Sequence, residues 1–292
     1  MNKLKNLVTG VDFSGQSRIA LTEAARIAEW NGAKLRLVHV VEAQTVRDLA
    51  RHERRDVEEL RAELTDGSRS ALQEWGADLG LAGRASERVV FGHATDEIVK
   101  QIKEVNAGLL VAGVRGTANE AAGAGLQATR LVRSAPCNVL LVDDRHVGPF
   151  KRIIAGIDFS PTSREVVEQA LKIACQDDCE VMFVHIYVAP WKDLHLPLGF
   201  NYSSSFRTEH LTDLELSLRE FVGGVDGVRA SFHLHHHQKH GRGISEFARE
   251  QGGDLLVLGT RGDFNIRYLL LGSTAEYLLR EQPCSVLAIH PQ

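Results

Sequence analysis

The sequence predicts an α/β protein built twice: two tandem open five-stranded parallel sheets with helices on both faces. Three observations carry this. The chain repeats itself, LVTGVDFSGQSRIALTEAARIA from Leu7 falling on IIAGIDFSPTSREVVEQALKIA from Ile153, an offset of 146 positions. Within each copy, short continuous apolar runs alternate with segments of helical apolar spacing. The 292 residues, 43% hydrophobic and 25% charged, have ordinary globular composition and suit two domains of roughly 150 residues. Five strands separated by helices imply parallel pairing with right-handed crossovers.

The repeat extends through the chain. At the same offset LVHVV (37–41) meets FVHIY (183–187), His39 falls on His185 and Ile98 on Ile244, and LLVAGVRG (109–116) meets LLVLGTRG (255–262). After one extra residue, GLQATRLVRSAPCNVLLV (125–142) falls on GSTAEYLLREQPCSVLAI (272–289). The spacing predicts domains 1–146 and 147–292, joined near DRHVGPFKR (144–152).

In the second copy RIIAGI is the first strand. Ser160 and Pro161 then open a helix, a capping hydroxyl before proline at the first helical position, and SREVVEQALKIA continues it. EVMFVHIYV is an apolar strand with both faces covered. A helix near 206–222 precedes the alternating strand RASFHLHHH. Helix ISEFAREQ, strand DLLVLG, helix STAEYLLRE and strand SVLAIH complete the copy.

Net charge of −4 and a pI near 6.4 argue against non-specific nucleic-acid binding, which needs a basic face. No stretch approaches the ~18 apolar residues of a membrane helix, and MNKLKNLVTGVDFS lacks a signal-peptide pattern. Cys137, Cys175, Cys179 and Cys284 form no C-x2-C pair and read as reduced thiols. A cytoplasmic protein is expected.

The glycines point to a ligand. In a doubly wound sheet, ligands sit beyond the carboxyl ends of the strands where strand order reverses. Gly259 ends the fourth strand and Gly262 follows; both would permit positive φ or close backbone approach. Gly272, Ser273 and Thr274 then open a helix, whose unpaired N–H groups and positive dipole end suit phosphate. Ser273 and Thr274 add hydroxyls, and Arg261 and Arg267 add cationic charge. Spacing alone also admits a plain turn and cap. Asp158, at the end of the first strand, either faces the crevice or closes the turn before Ser160.

The spacing G-x2-G-x9-G-S at Gly259, Gly262, Gly272 and Ser273, after DLLVLG, resembles the ATP-binding signature of the universal stress protein family. IDFS, VHI and PCSVLAI strengthen the resemblance, which covers nearly the whole chain as two tandem domains. It implies an adenine nucleotide alpha hydrolase-like fold and a bound adenine nucleotide: ATP, or ADP or AMP, with Mg2+. Asp158 would sit near adenine and ribose, the backbone around Ile186 would flank the base, and Gly259, Gly262, Gly272, Ser273 and Thr274 would hold ribose and phosphates. It also implies pairing through the last strand, here between SVLAIH and NVLLVD within one chain. A short linker would give such pairing a millimolar effective concentration, and a homodimer of whole chains stays open.

The first copy departs from the signature. Gly113 and Gly116 persist, but eight residues separate Gly116 from Gly125, and Leu126 and Gln127 replace the Ser-Thr pair. Glu120 is a poor neighbour for phosphate. Asp12 persists, so a small adenosine-like ligand stays open. Nucleotide is expected in the second domain and little in the first.

Other motifs fall away. GAGLQA (123–128) fits the dinucleotide fingerprint but follows the fourth strand instead of the first. No G-x4-G-K-[ST], HIGH or SGGxDS occurs. His233, His235 and His237 share a strand face and are weak metal candidates, because i and i+2 positions stand about 7 Å apart; the alternative is a polar strand near the sheet edge. His39 and His185 read as hydrogen-bonded core residues. ARHERRDVEELRAEL (50–64) reads as a solvated helix face, and APWKDLHLPLGFNYSSSFRTEH (189–210) as a surface loop or a lid.

Three functions fit: an ATP-binding stress-response or signalling module with little turnover, a slow Mg-dependent ATPase or phosphotransferase, or a non-nucleotide dimer scaffold. Phosphoryl transfer needs a positioned base, and Asp263 and Ser273 qualify only by proximity.

Overall fold

The computed structural model describes residues 4–81, 83–114, 124–189, 191, 204–261 and 271–291. The chain divides into two compact units, Met1–His146 and Val147–Gln292. The first runs β1 (Asn6–Gly10), α1 (Gly15–Asn31), β2 (Lys34–Val41), α2 (Ala43–Glu53), α3 (Val57–Asp78), β3 (Ala85–Phe91), α4 (Ala94–Val105), β4 (Leu109–Gly113), α5 (Ala124–Ser134) and β5 (Asn138–Val142). The second runs β6 (Arg152–Gly156), α6 (Pro161–Asp177), β7 (Glu180–Tyr187), α7 (Ser204–Val222), β8 (Arg229–His236), α8 (His240–Glu250), β9 (Leu255–Gly259), α9 (Ser273–Glu281) and β10 (Ser285–Ile289).

Strand order is β3-β2-β1-β4-β5 in the first unit and β10-β9-β6-β7-β8 in the second. Pairing within each unit is parallel. In the second unit, α6 packs on β6, β7, β9 and β10, while α8 packs on β7 and β8 and against α9. Strands covered on both faces need apolar side chains throughout: in β9 Leu255, Leu256, Val257 and Leu258 are all buried, as in β10 are Val286, Leu287, Ala288 and Ile289. Each buried Leu, Val or Ile side chain contributes about 1.5–3 kcal/mol by leaving water.

Caps set the helix starts. Ser160 accepts from the Ser163 N–H and Pro161 stands in the first turn of α6; Ser14 caps α1 in the same way through Ser17. The charge-dense stretch at 50–64 is two helices rather than one face. Arg54 turns left-handed (φ 55°) and ends α2, and Asp56 then accepts from the Glu58 and Glu59 N–H groups to start α3. Side-chain capping at Asp56 therefore breaks a helical periodicity that looks continuous in the sequence. The helix expected near 206–222 is α7, which begins at Ser204 and so takes in the end of the segment read as a surface loop or a lid; residues 190 and 192–203 lie outside the described residues.

A buried ion cluster ties the end of the first unit to α1. Glu23, 2% exposed, accepts from Arg26 through both carboxylate oxygens (3.0 and 2.6 Å) and lies 3.0 Å from His146 Nε2. Burial alone would raise this carboxyl; hydrogen bonds from His146 and Arg26 outweigh it and hold Glu23 below its ordinary range.

All four cysteines are free, with Cys175 exposed and the others buried. Burial pushes the Cys137 and Cys179 thiols up to about 12, so little reactive thiolate forms there. Iodoacetamide at mildly alkaline pH is expected to modify Cys175 first, the others reacting only on unfolding; peptide mass mapping checks this.

Among the described residues, no helix is long and apolar enough to cross a membrane.

Candidate functional site

The second sheet opens where its order reverses. β6 pairs with β9 only through Ile153, Ile154 and Ala155, whereas β6–β7 pairing runs on to Gly156 and β9–β10 pairing to Gly259. Beyond Ala155 and Val257 the two strands no longer pair: the Ile157 N–H turns to the Val184 carbonyl of β7 and the Thr260 N–H to the Ile289 carbonyl of β10. This is the crevice that a doubly wound sheet offers a ligand.

Asp158 stands on one side of it. The Ile157 N–H donates to the Val184 carbonyl at 2.9 Å, which carries the β6 end alongside β7. Asp158 Oδ1 then accepts from the Ser160 N–H (3.0 Å) and the Ser163 hydroxyl (2.6 Å), while its own N–H donates to Ser163 Oγ at 3.1 Å. Both readings of Asp158 meet here. One oxygen closes the turn before the Ser160 cap; the side chain is exposed, and Oδ2 has no hydrogen-bond partner among the described residues.

The other side is the β9–α9 connection. Thr260, 2% exposed, donates its N–H and its hydroxyl to the Ile289 carbonyl (2.9 and 3.1 Å). The Thr260 carbonyl in turn accepts from the Gly272 N–H at 2.9 Å. The two ends of the connection are thus clasped, and α9 starts beside the end of β9. Residues 262–270, which include Gly262 and the sequence candidates Asp263 and Arg267, lie outside the described residues.

The two framing glycines serve different ends. Gly259 does not adopt positive φ. A Cβ there would stand 3.0 Å from Thr162 Cγ2 and 3.3 Å from the Arg261 carbonyl oxygen, so its close approach is to the protein's own α6. Gly272 has φ −62° and ψ 145°, open to any residue, and among the described residues a Cβ would meet nothing nearer than the Thr260 carbonyl oxygen at 3.5 Å. Gly272 is the N-cap of α9 and supplies no side-chain cap. Ser160, Ser14 and Asp56 fold their own oxygens onto the first turns of their helices; the N-cap residue of α9, like those of α2, α4 and α8, makes no such side-chain bond. Ser273 is exposed and Thr274 half-buried, and neither hydroxyl bonds within the described residues. Arg261 is exposed and without an ion pair among them.

Ile186 is buried within β7, and its Cγ2 lies 3.2 Å from where a Gly243 Cβ would be, so its side chain faces α8 and only its backbone is available to the crevice. His185 faces the opposite way. Its Nδ1 lies 2.8 Å from the Ile157 carbonyl and its ring 4.6 Å from the Phe159 ring. His39 repeats this with Val11 (2.8 Å) and Phe13 (4.6 Å). Both histidines are hydrogen-bonded and half-buried.

In the first unit, Asp12 Oδ1 accepts from the Ser14 N–H and hydroxyl. A Cβ at Gly113 would meet the Gln16 carbonyl oxygen at 3.2 Å, the counterpart of the Gly259 contact. Glu42, just past β2, accepts from the Ala94 N–H at 3.4 Å and brings a carboxylate to the C-terminal edge where the second unit has Val188. Gly116 and Glu120 lie outside the described residues; Gly125, Leu126 and Gln127 belong to α5.

The metal candidates do not converge. β8 is an edge strand. His233 Nε2 pairs with the Ser231 hydroxyl at 2.8 Å, the His233 and His235 rings pack on Phe247, and His237 Nδ1 accepts from the Lys239 N–H. Among the described residues no group of three His, Cys, Asp or Glu side chains could hold an ion. Burial also pushes the His233 imidazole down. Extended geometry sets these side chains too far apart, and Phe247 fills the space between helix and strand.

Sequence reasoning missed the aromatic support of the Asp158 turn. Phe159 has φ 63°; its ring lies edge-on to Phe221 at 5.5 Å, and the Arg164 guanidinium lies 4.5 Å from the Phe221 ring centre. Phe13 (φ 61°), Trp75 (5.4 Å) and Arg18 (4.8 Å over Trp75) repeat it in the first unit. The signal was in the repeat: all three pairs stand 146 positions apart.

A family model described as the universal stress protein family matches residues 3–143 and again 149–290. The universal stress protein E homolog of Haemophilus influenzae is 25% identical over 321 residues, covering 99% of this chain and 98% of that protein. The universal stress protein A homolog 1 of Coxiella burnetii is 30% identical over 150 residues, covering 48% of this chain and 96% of that one. A universal stress protein structure from Archaeoglobus fulgidus shares the fold with a TM-score of 0.67 over 98% of each chain, at 17% identity. With its family model matched twice over nearly the full sequence, this chain belongs to the universal stress protein family and carries two of its domains in tandem.

Proposed function

We propose that the second unit holds an adenine nucleotide (ATP, or ADP or AMP) with Mg2+, as a stress-response or signalling module that works by occupancy with little turnover. One observation carries the reading. At the switch-point crevice, α9 opens on a glycine that the fold itself does not require, leaving first-turn amides, two hydroxyls and the Arg261 cation without partners among the described residues. A helix start in that state favours a phosphate chain. Asp158 Oδ2 would accept from ribose hydroxyls, and the backbone at Ile186 would face the base. Mg2+ would neutralise phosphate charge when bound. The first unit, with Glu42 at its C-terminal edge and no Ser-Thr pair at α5, is the poorer host.

Titration of the full chain with MgATP in a calorimeter is expected to give one site per chain, and mass spectrometry of molecules released on denaturation is expected to find an adenine nucleotide. Two equal sites would overturn the asymmetry between units. No heat and no released nucleotide would overturn the reading.

A further inference from the structure

We propose that His185 is a positioning residue for the nucleotide cleft: it holds the Ile157 carbonyl and the Phe159 ring, so that Asp158 is presented to the ligand. This rests on the nucleotide reading above.

The backbone leading into Asp158 is held on both sides of one residue. The Ile157 N–H donates to the Val184 carbonyl at 2.9 Å, and the Ile157 carbonyl lies 2.8 Å from His185 Nδ1. A carbonyl can only accept, so Nδ1 carries the proton. Burial pushes this imidazole down against the opposing pull of that hydrogen bond and of the Asp158 carboxylate, and so favours the neutral ring. The next residue but one is strained. Phe159 holds φ 63°, a conformation that glycine adopts freely and a bulky residue only against steric resistance. Phenylalanine persists there because its ring is gripped between His185 (4.6 Å) and Phe221 (5.5 Å). Strain held by surrounding contacts is a mark of a turn whose exact shape matters. Asp158 sits between the clamped carbonyl and the gripped ring, so both of its neighbours are fixed by His185.

The first unit builds the same clamp from His39, Val11, Phe13 and Trp75 around Asp12. It therefore supplies an internal control: the same local damage in a unit expected to bind little nucleotide.

The experiment compares MgATP affinity in His185→Leu, His185→Asn, His185→Gln and His39→Leu of the full chain, with thermal unfolding of each. Asparagine places its amide nitrogen on Cγ, where Nδ1 stood; glutamine moves it one carbon further. His185→Leu and His185→Gln are expected to bind at least about tenfold more weakly, and His185→Asn within about threefold of wild type. His39→Leu should lose stability comparably while keeping wild-type affinity. Should His185→Leu fail to fold, the difference between Asn and Gln carries the test. Wild-type binding with His185→Leu or His185→Gln equally tight overturns this inference alone. An equal loss of affinity in His39→Leu also overturns it, showing general destabilisation. A wild-type chain that takes up no nucleotide removes the underlying reading and this inference with it.

Discussion

Gly272→Val is expected to weaken MgATP binding at least about 100-fold, a loss of roughly 2.7 kcal/mol, while the second unit stays folded. Gly272 already has φ −62° and ψ 145°, and its Cβ position is clear to 3.5 Å among the described residues, so the backbone has no need of glycine. Valine is a poor N-cap, and its cost to the fold should stay near 1 kcal/mol. The loss of binding comes from filling the space that a phosphate needs next to the first-turn amides. Gly272→Ser separates the two effects by sign. Serine would fold its own oxygen onto those amides, as Ser160 does on α6. It should therefore raise stability by a few tenths of a kcal/mol and still weaken ATP, since side chain and phosphate compete for the same donors. Calorimetry and thermal unfolding on the same samples check both. Valine binding as tightly as wild type would refute the phosphate cradle.

Glu23→Ala is expected to remove roughly 3 kcal/mol from the first unit at neutral pH, the lower end for breaking a buried ion pair by taking one partner. The carboxylate is 2% exposed and receives Arg26, whose side chain is 25% exposed, and His146; without it, each loses this acceptor. The pH dependence has a defined sign. The folded Glu23 carboxyl titrates below its ordinary value of 4.5, because the hydrogen bonds from His146 and Arg26 outweigh the cost of burial. Its contribution is therefore fully present above that value and fades as pH falls through the folded pKa. Denaturant unfolding of wild type and variant should differ most at neutral pH and converge in acid. A constant difference down to acid pH would show that lost packing, not charge, is responsible. Glu23→Gln, which keeps the shape and one acceptor, should fall between the two.

Much of the site's frame could be read from the chain. Ser160 and Pro161 marked the start of α6, DLLVLG and SVLAIH marked β9 and β10, and Gly272 with Ser273 marked the start of α9, because caps and apolar runs act over a few residues. Other features could not be read this way. Gly259 does not take the positive φ that the sequence allowed, and its missing Cβ admits Thr162 of α6, a close approach between positions 97 apart in sequence. His233, His235 and His237 were metal candidates; the rings of the first two pack on Phe247 of the following helix, His233 pairs with Ser231 and His237 accepts from the Lys239 N–H.

By itself, then, the sequence determined the duplication, the parallel α/β architecture of each copy and the place where one copy has a glycine spacing from which the other departs. These follow from periodicity and local chemistry, which are written along the chain. Only the tertiary structure decided how each candidate is used: that one oxygen of Asp158 is taken by its own turn, that His185 secures the carbonyl before it, that Thr260 clasps Gly272, and that Glu23 meets His146 across 123 positions. The reason is that hydrogen bonds, ring contacts and close approaches are made between groups brought together by folding, and separation along the chain does not encode distance in space.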